Sequence, residues 1–346
     1  VSLGAVPQIV LIPDVPLDDL GRIAALIERA EPRVRRRFLA LIEGSAGLAD
    51  LDRITGLLEV GRVNEALAFS EGVGEGLSNA LESAYAAAGL SAAEVLRSQA
   101  DTLFDFNSLN RRSVATLERN RLRLVREFNT EQRVATRVLL QDAVTRGLPP
   151  IKQARIIRGS IGLTGKQARA VTNFRSMLAS TNPIRTREAL TRALRDKRFD
   201  RTIARAARGE LVLSAEQIDR MVARYQENYI RYRANTIART ETVAAIHAGD
   251  EELWRQAIVS GEVPADQVIS TWHIANRNVR SSHRAMNGQT RPFGEPFRSG
   301  DGNNLRFPGD PLGPAADTIN CQCVVARSLK KPIRRPPGVP MAIAAG

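Results

Sequence analysis

Apolar residues along the first two-thirds of the chain recur every three or four positions, a spacing that predicts one amphipathic helix after another. Leu17, Leu20, Ile23, Leu26, Ile27, Val34, Phe38 and Leu41 share a face that is interrupted near Pro32, and Gly44 to Gly47 reads as the closing turn. Leu48, Leu51, Ile54, Leu57 and Leu58 predict a short helix ending at Gly61. A longer one runs through Leu67, Val73, Leu77, Leu81 and Tyr85 to Gly89, and Ser91 with Glu94 forms a capping box for the next. After a break over 101–109, Ser113 to Arg146 is helical again. Asn129-Thr130 reads there as a cap between two helices, and Gly147-Leu148-Pro149-Pro150 as a stop.

Shorter helices follow. Thr164 with Gln167 caps one that passes through Ala168, Val171, Phe174 and Leu178; Leu190 and Leu194 mark another. Ser214 with Gln217 opens the longest, whose apolar line runs from Ile218 through Tyr225 and Val243 to Trp254. The texture changes after Gly261. Val268 to Ile274 is rich in β-branched and aromatic residues and predicts a strand. Ser281 to Met286 predicts a short helix, Thr318 to Ala326 the last strand, and the stretch between them is dominated by turn formers. The expected fold is mostly α: helical N-terminal and middle regions followed by a small C-terminal α+β domain. The expected regions are an extended arm at 1–13, helices over 14–110, a basic helical region over 111–260, the α+β domain over 261–330 and a Pro-rich tail over 331–346.

Charge sharpens this picture. The chain of 346 residues carries a net +13. Residues 151–240 alone hold 20 basic and 7 acidic side chains, so this segment accounts for the whole excess. Arg185, Arg187, Arg192, Arg195, Lys197, Arg198, Arg201, Arg205 and Arg208 are its densest run. Such a run suits double-stranded DNA or an acidic protein face, and it reads equally as solvated helix. It lacks the aromatic interleaving that base stacking needs. No charged and apolar leader and no apolar run long enough to span a bilayer is present, so no membrane partner is expected.

Candidate chemistry gathers between Trp272 and Cys323, where both cysteines and two of the three histidines lie. Cys321 and Cys323 are too close in sequence to staple a fold, and on a strand both thiols would share a face. His283, Cys321 and Cys323 are suitable donors for zinc, with His273 or Asp310 able to complete the set. The alternative is a packed, reduced pair, with His283 hydrogen-bonded to a loop carbonyl that fixes the Pro308–Pro311 turn. A Cys/His nucleophile pair is conceivable, but no Gly-rich phosphate loop, His-Glu-x-x-His or serine elbow accompanies it. Asp310 reads as a turn residue accepting backbone N–H groups, and Arg280 as the partner of Asp310 or Asp317.

Six motifs occur here in a fixed order. They are Ala238-Arg239-Thr240-Glu241-Thr242, Trp272, Val279-Arg280 with His283, Asn287-Gly288, Phe307-Pro308-Gly309-Asp310-Pro311, and Ile319-Asn320-Cys321-Gln322-Cys323. In these residues, and in its upstream helices from about 150, the chain resembles the phage head morphogenesis family, the minor head proteins typified by protein F of phage Mu. The resemblance covers about 150–327. It departs at Ala275-Asn276-Arg277-Asn278, where the family often has an acidic residue.

The resemblance implies a structural protein of a tailed phage, without catalytic residues. It would sit at or near the portal, contact other head or neck proteins, and assist head assembly or DNA packaging and delivery. It would reside in the virion after assembly in the host cytoplasm. Arg239, Glu241, Trp272, Arg280, His283, Gly288, Pro308, Gly309, Asp310, Asn320, Cys321 and Cys323 would form its structural signature. Two other expectations stand beside it: a metal-dependent hydrolase or transferase centred on His283, Cys321 and Cys323, and a plain DNA-binding accessory protein.

Overall fold

A computed structural model describes residues 17–48, 50–68, 73–275 and 279–334. The expected arm at 1–13, the Asn276–Asn278 departure and the tail beyond 334 lie outside these residues. The chain is mostly helical with a small antiparallel C-terminal sheet, as its periodicity predicts. In order come α1 (Leu17–Leu48), α2 (Leu51–Glu59), α3 (Val63–Ala68), α4 (Val73–Gln99), α5 (Arg111–Thr145), α6 (Pro150–Ser160), α7 (Gly165–Leu178), α8 (Pro183–Glu188), α9 (Asp200–Ala207) and α10 (Ala215–Val259). Then follow β1 (Val268–His273), α11 (Ser281–Arg284), β2 (Thr290–Pro292), β3 (Phe297–Arg298), β4 (Asn304–Leu305), α12 (Ala315–Thr318) and β5 (Val324–Leu329). No helix among the described residues is long and apolar enough to cross a membrane.

Several expected breaks are absent because packing overrides local signals. Pro32 and the Gly44–Gly47 pair lie inside α1. Gly89 and Ser91 lie inside α4, so no helix begins there. A Cβ on Gly89 would run into the Phe106 ring, so this glycine serves a close contact rather than a stop. Asn129-Thr130 does not divide α5. Phe128, Gln132, Ala135 and Leu139 keep the helical spacing across it and are all buried, which carries the helix through. The other two expected capping boxes form. Thr164 and Gln167 form a reciprocal capping box at α7, and Ser214 and Gln217 do the same at α10.

The chain divides into two compact units, each assembled from separate stretches, and the expected regions 14–110 and 111–260 are both split between them. One unit comprises 37–77 and 121–235. Its core gathers Leu163, Phe174, Ile203, Met221 and Tyr225, with the Phe174 and Tyr225 rings 4.3 Å apart. Gln132 is fully buried there. It donates to the Ser160 carbonyl at 3.0 Å and accepts from the Gly162 N–H at 2.8 Å, so its amide satisfies groups that α6 leaves open.

The described residues of 1–36, 78–120 and 236–346 form the other unit. Its sheet has the order β2-β1-β5, antiparallel throughout, with Trp272 opposite Val325 and His273 opposite Val324. The C-terminal part of α10 lies tightly on α4, where a Cβ on Gly249 would collide with the Tyr85 carbonyl. Near the start of α1, Asp19 accepts from Arg22 Nε at 2.8 Å and from the Arg327 N–H of β5 at 2.9 Å. Arg22 also reaches Asp250 on α10 at 2.6 Å, and Arg327 meets the same carboxylate at 2.7 Å. This buried four-residue network ties helix to strand. Burial raises the Asp19 carboxyl, Arg22 opposes it and Asp250 adds to it, leaving the group at about 6. Burial also acts against the charge of Asp250, but its two arginines outweigh that and hold its carboxyl low.

Candidate functional site

β1 and β5 organise the site. Trp272 on β1 turns inward onto Phe297, Met286, Phe307, Val325 and the two cysteines, all buried. Its ring meets Phe297 at 5.3 Å and His283 edge-on at 5.5 Å. β5 begins only at Val324, so Cys321 and Cys323 precede the strand instead of lying on it. Residues two apart in this extended approach still send both thiols to one side. His283, on the short α11, points its Nδ1 between them, 3.4 Å from Cys323 Sγ and 3.5 Å from Cys321 Sγ. Both cysteines are free and buried.

Behind the imidazole, His283 Nε2 lies 3.6 Å from Asp317 Oδ1 and has no hydrogen-bond partner of its own. Asp317 is held by Ser282 Oγ at 2.8 Å and by Asn303 Nδ2 at 2.9 Å. Burial works against its charge, yet these hydrogen bonds, with His283 and Arg280 nearby, hold its carboxyl below the usual range. The expected bond from His283 to a loop carbonyl is therefore replaced by contact with the two sulfurs. A hydrogen bond from Cys323 holds the Cys321 thiol low, against burial and with His283 assisting, while Cys323 is pushed up. A cavity of about 20 Å³ opens onto the cluster, bordered by Ala275, Val279 and Asn320.

The expected partner of Arg280 is also corrected. Its guanidinium donates to the carbonyls of Ala316 and Ile319, the latter at 2.5 Å, and so closes the end of α12. Asp310 pairs with Arg306 at 2.7 Å and accepts the N–H groups of Arg306 and Leu312, the turn role expected of it. Burial raises the Asp310 carboxyl, but these bonds prevail and hold it low.

Pro308 is buried, and Gly309 has φ +77 with a would-be Cβ 3.1 Å from the Ala244 backbone of α10. Gly288, at φ +78, donates its N–H to the Trp272 carbonyl at 2.8 Å. Among the described residues, Asn320 is the non-glycine residue with positive φ, 56°, a conformation asparagine tolerates. Its N–H donates to Thr240 Oγ1 at 2.9 Å. With its amide oriented to satisfy both ends, Gln322 accepts from Arg239 Nη1 at 2.8 Å, and Arg239 also reaches Glu31 at 3.3 Å. Glu241 is half-buried one turn along α10 from Ala238. The motif residues described, dispersed over 85 positions from 239 to 323, thus belong to one folded neighbourhood, except that His273 and Asp310 stand outside the sulfur cluster.

The basic run lies in the other unit, on α8, α9 and the turns between them. Part of it is neutralised internally: Arg195 pairs with Asp200 at 2.8 Å, Arg198 with Asp196 at 2.6 Å, and Arg205 and Arg208 with Glu210 at 3.3 and 2.5 Å. Arg185 donates to Ser176 Oγ at 3.2 Å. Arg192 is half-buried; Arg187, Lys197 and Arg201 are exposed with no carboxylate partner among the described residues. Sequence reasoning missed the Asp19–Arg22–Asp250–Arg327 network and the Asp317 support of His283. Asp19 and Arg22 are an i,i+3 pair on α1, but nothing local links them to Asp250 and Arg327, or Asp317 to His283; those partners are brought together only by folding.

Comparison with protein-family models, with curated proteins and with solved structures finds no match to this chain.

Proposed function

We propose that the chain is a minor head protein of a tailed bacteriophage that binds the portal vertex and assists head assembly or DNA packaging and delivery. The observation that carries this reading is the convergence of the family-like motifs: Arg239 with Gln322, Thr240 with Asn320, and Gly309 against Ala244. Motif residues engaged in mutual support are what a structural signature requires. The buried thiols and imidazole support a framing role over a catalytic one, since a substrate must reach a nucleophile to react. Its partners in this reading are the portal protein and other head or neck proteins. Arg187, Lys197 and Arg201 offer unpaired cations to packaged DNA or to an acidic ring face. The protein would assemble in the host cytoplasm and remain in the virion.

Imaging of the portal vertex of the particle, together with deletion of the gene, tests this. Density matching this fold on or beside the portal, and loss of infectious particles on deletion, are expected. Heads that lack the chain, or an unchanged titre without it, overturn the reading.

A further inference from the structure

Two thiols and an imidazole nitrogen that converge in a buried site have few satisfactory arrangements. As a packed cluster, each sulfur is a weak hydrogen-bond acceptor for one shared ring nitrogen, and His283 Nε2 is left buried without a hydrogen bond. The spacing suits another arrangement better. Zinc binds sulfur at about 2.3 Å and imidazole nitrogen at about 2.0–2.1 Å, so tetrahedral geometry separates the N and S ligands by about 3.5 Å. His283 Nδ1 stands 3.4 and 3.5 Å from the two sulfurs, and all three donor atoms lie within 4.8 Å of one another.

We propose that Cys321 Sγ, Cys323 Sγ and His283 Nδ1 bind one zinc ion, with Asp317 orienting the imidazole from behind. Coordination at Nδ1 places the ring proton on Nε2, which faces Asp317 Oδ1 at 3.6 Å. A carboxylate behind a metal-bound histidine is the usual outer support of such a site, and Ser282 and Asn303 hold this one in place. Binding displaces the two thiol protons, and two thiolates balance the charge of the ion, so the buried site acquires no net charge from the ion and its sulfur ligands. The cavity of about 20 Å³ on the open side has room for about one water as a fourth ligand. The ion would pin α11 to the segment that leads into β5. That role goes beyond portal binding and does not depend on it.

The test is metal analysis of the full chain, purified under reducing conditions without chelator, loaded with zinc and dialysed. About one zinc per chain is expected, falling to background in Cys321→Ser/Cys323→Ser, with affinity about 10–100-fold weaker in Asp317→Asn. Because the serine variant can fail to fold, the unaltered chain is also loaded with cobalt(II). Thiolate-to-metal charge-transfer absorption and a tetrahedral visible band are expected. Absence of that absorption, no retained zinc, or zinc retained equally by the doubly substituted chain overturns the proposal. Portal binding plays no part in these readouts, so either reading can fail alone.

Discussion

Arg327 on β5 and Asp250 on α10 meet at 2.7 Å with side chains no more than 2% exposed. Separated by 77 positions, they form the centre of a network that also holds Asp19 and Arg22. Removing one member leaves a buried charge without its partner. Asp250→Ala is expected to lower stability by roughly 3–5 kcal/mol, the usual consequence of breaking a buried pair. Denaturant unfolding measures it, and a cost near that of a surface substitution would contradict the pairing.

Two glycines separate packing from propensity. Gly309 combines φ +77 with a would-be Cβ 3.1 Å from Ala244, so Gly309→Ala is expected to destabilise by about 1–3 kcal/mol. Gly44 lies inside α1 with open space where a Cβ would go, so Gly44→Ala should stabilise by about 0.5–1 kcal/mol. Melting temperatures moving in opposite directions are the expected result; the same sign for both refutes the account.

Two buried histidines give the stability a pH dependence. His247 accepts the Val325 N–H on Nε2 at 3.1 Å and places Nδ1 at 2.8 Å from the Val243 carbonyl, which suits the neutral ring with its proton on Nδ1. Burial lowers it to about 4, and burial alone lowers His273, whose ring nitrogens have no hydrogen-bond partner, to about 4 as well. The unfolded chain therefore binds more protons than the folded one between about 6.5 and 4. Stability is present above that window and is lost as pH falls through it, by roughly 3 kcal/mol from His247 alone. Asp19, raised to about 6, acts in the opposite sense and offsets part of the loss. Unfolding free energy measured from pH 7 to 4.5 should decline, and His273→Leu should flatten the profile. An unchanged slope in that variant would exclude His273 as a contributor.

If the basic run meets phosphate, the exposed and unpaired Arg187, Lys197 and Arg201 carry the contact. Replacing all three by alanine should weaken DNA binding and reduce the slope of log affinity against log salt by about 3. The internally paired Arg198 and Arg208 should matter less. Fluorescence anisotropy across a salt series reads both, and binding indifferent to salt would exclude phosphate contacts.

Local features were legible in the sequence because their physics is local. The caps at Thr164 and Ser214, the strand beginning at Val268, the turn role of Asp310 and the mostly helical class all follow from spacing and residue type. The Cys-x-Cys spacing also suggested that both thiols face one way, and residue type grouped His283 with them, as the structure does. Tertiary structure alone decided that α4 runs through Gly89, where the Phe106 ring fills the space a Cβ would take, and that α5 runs through Asn129, because the residues around it are buried at helical spacing. It likewise placed Asp317 behind His283 and Arg280 on carbonyls in place of a carboxylate. A single residue records its own conformational preference, whereas burial and charge pairing depend on neighbours that only the folded chain brings within reach.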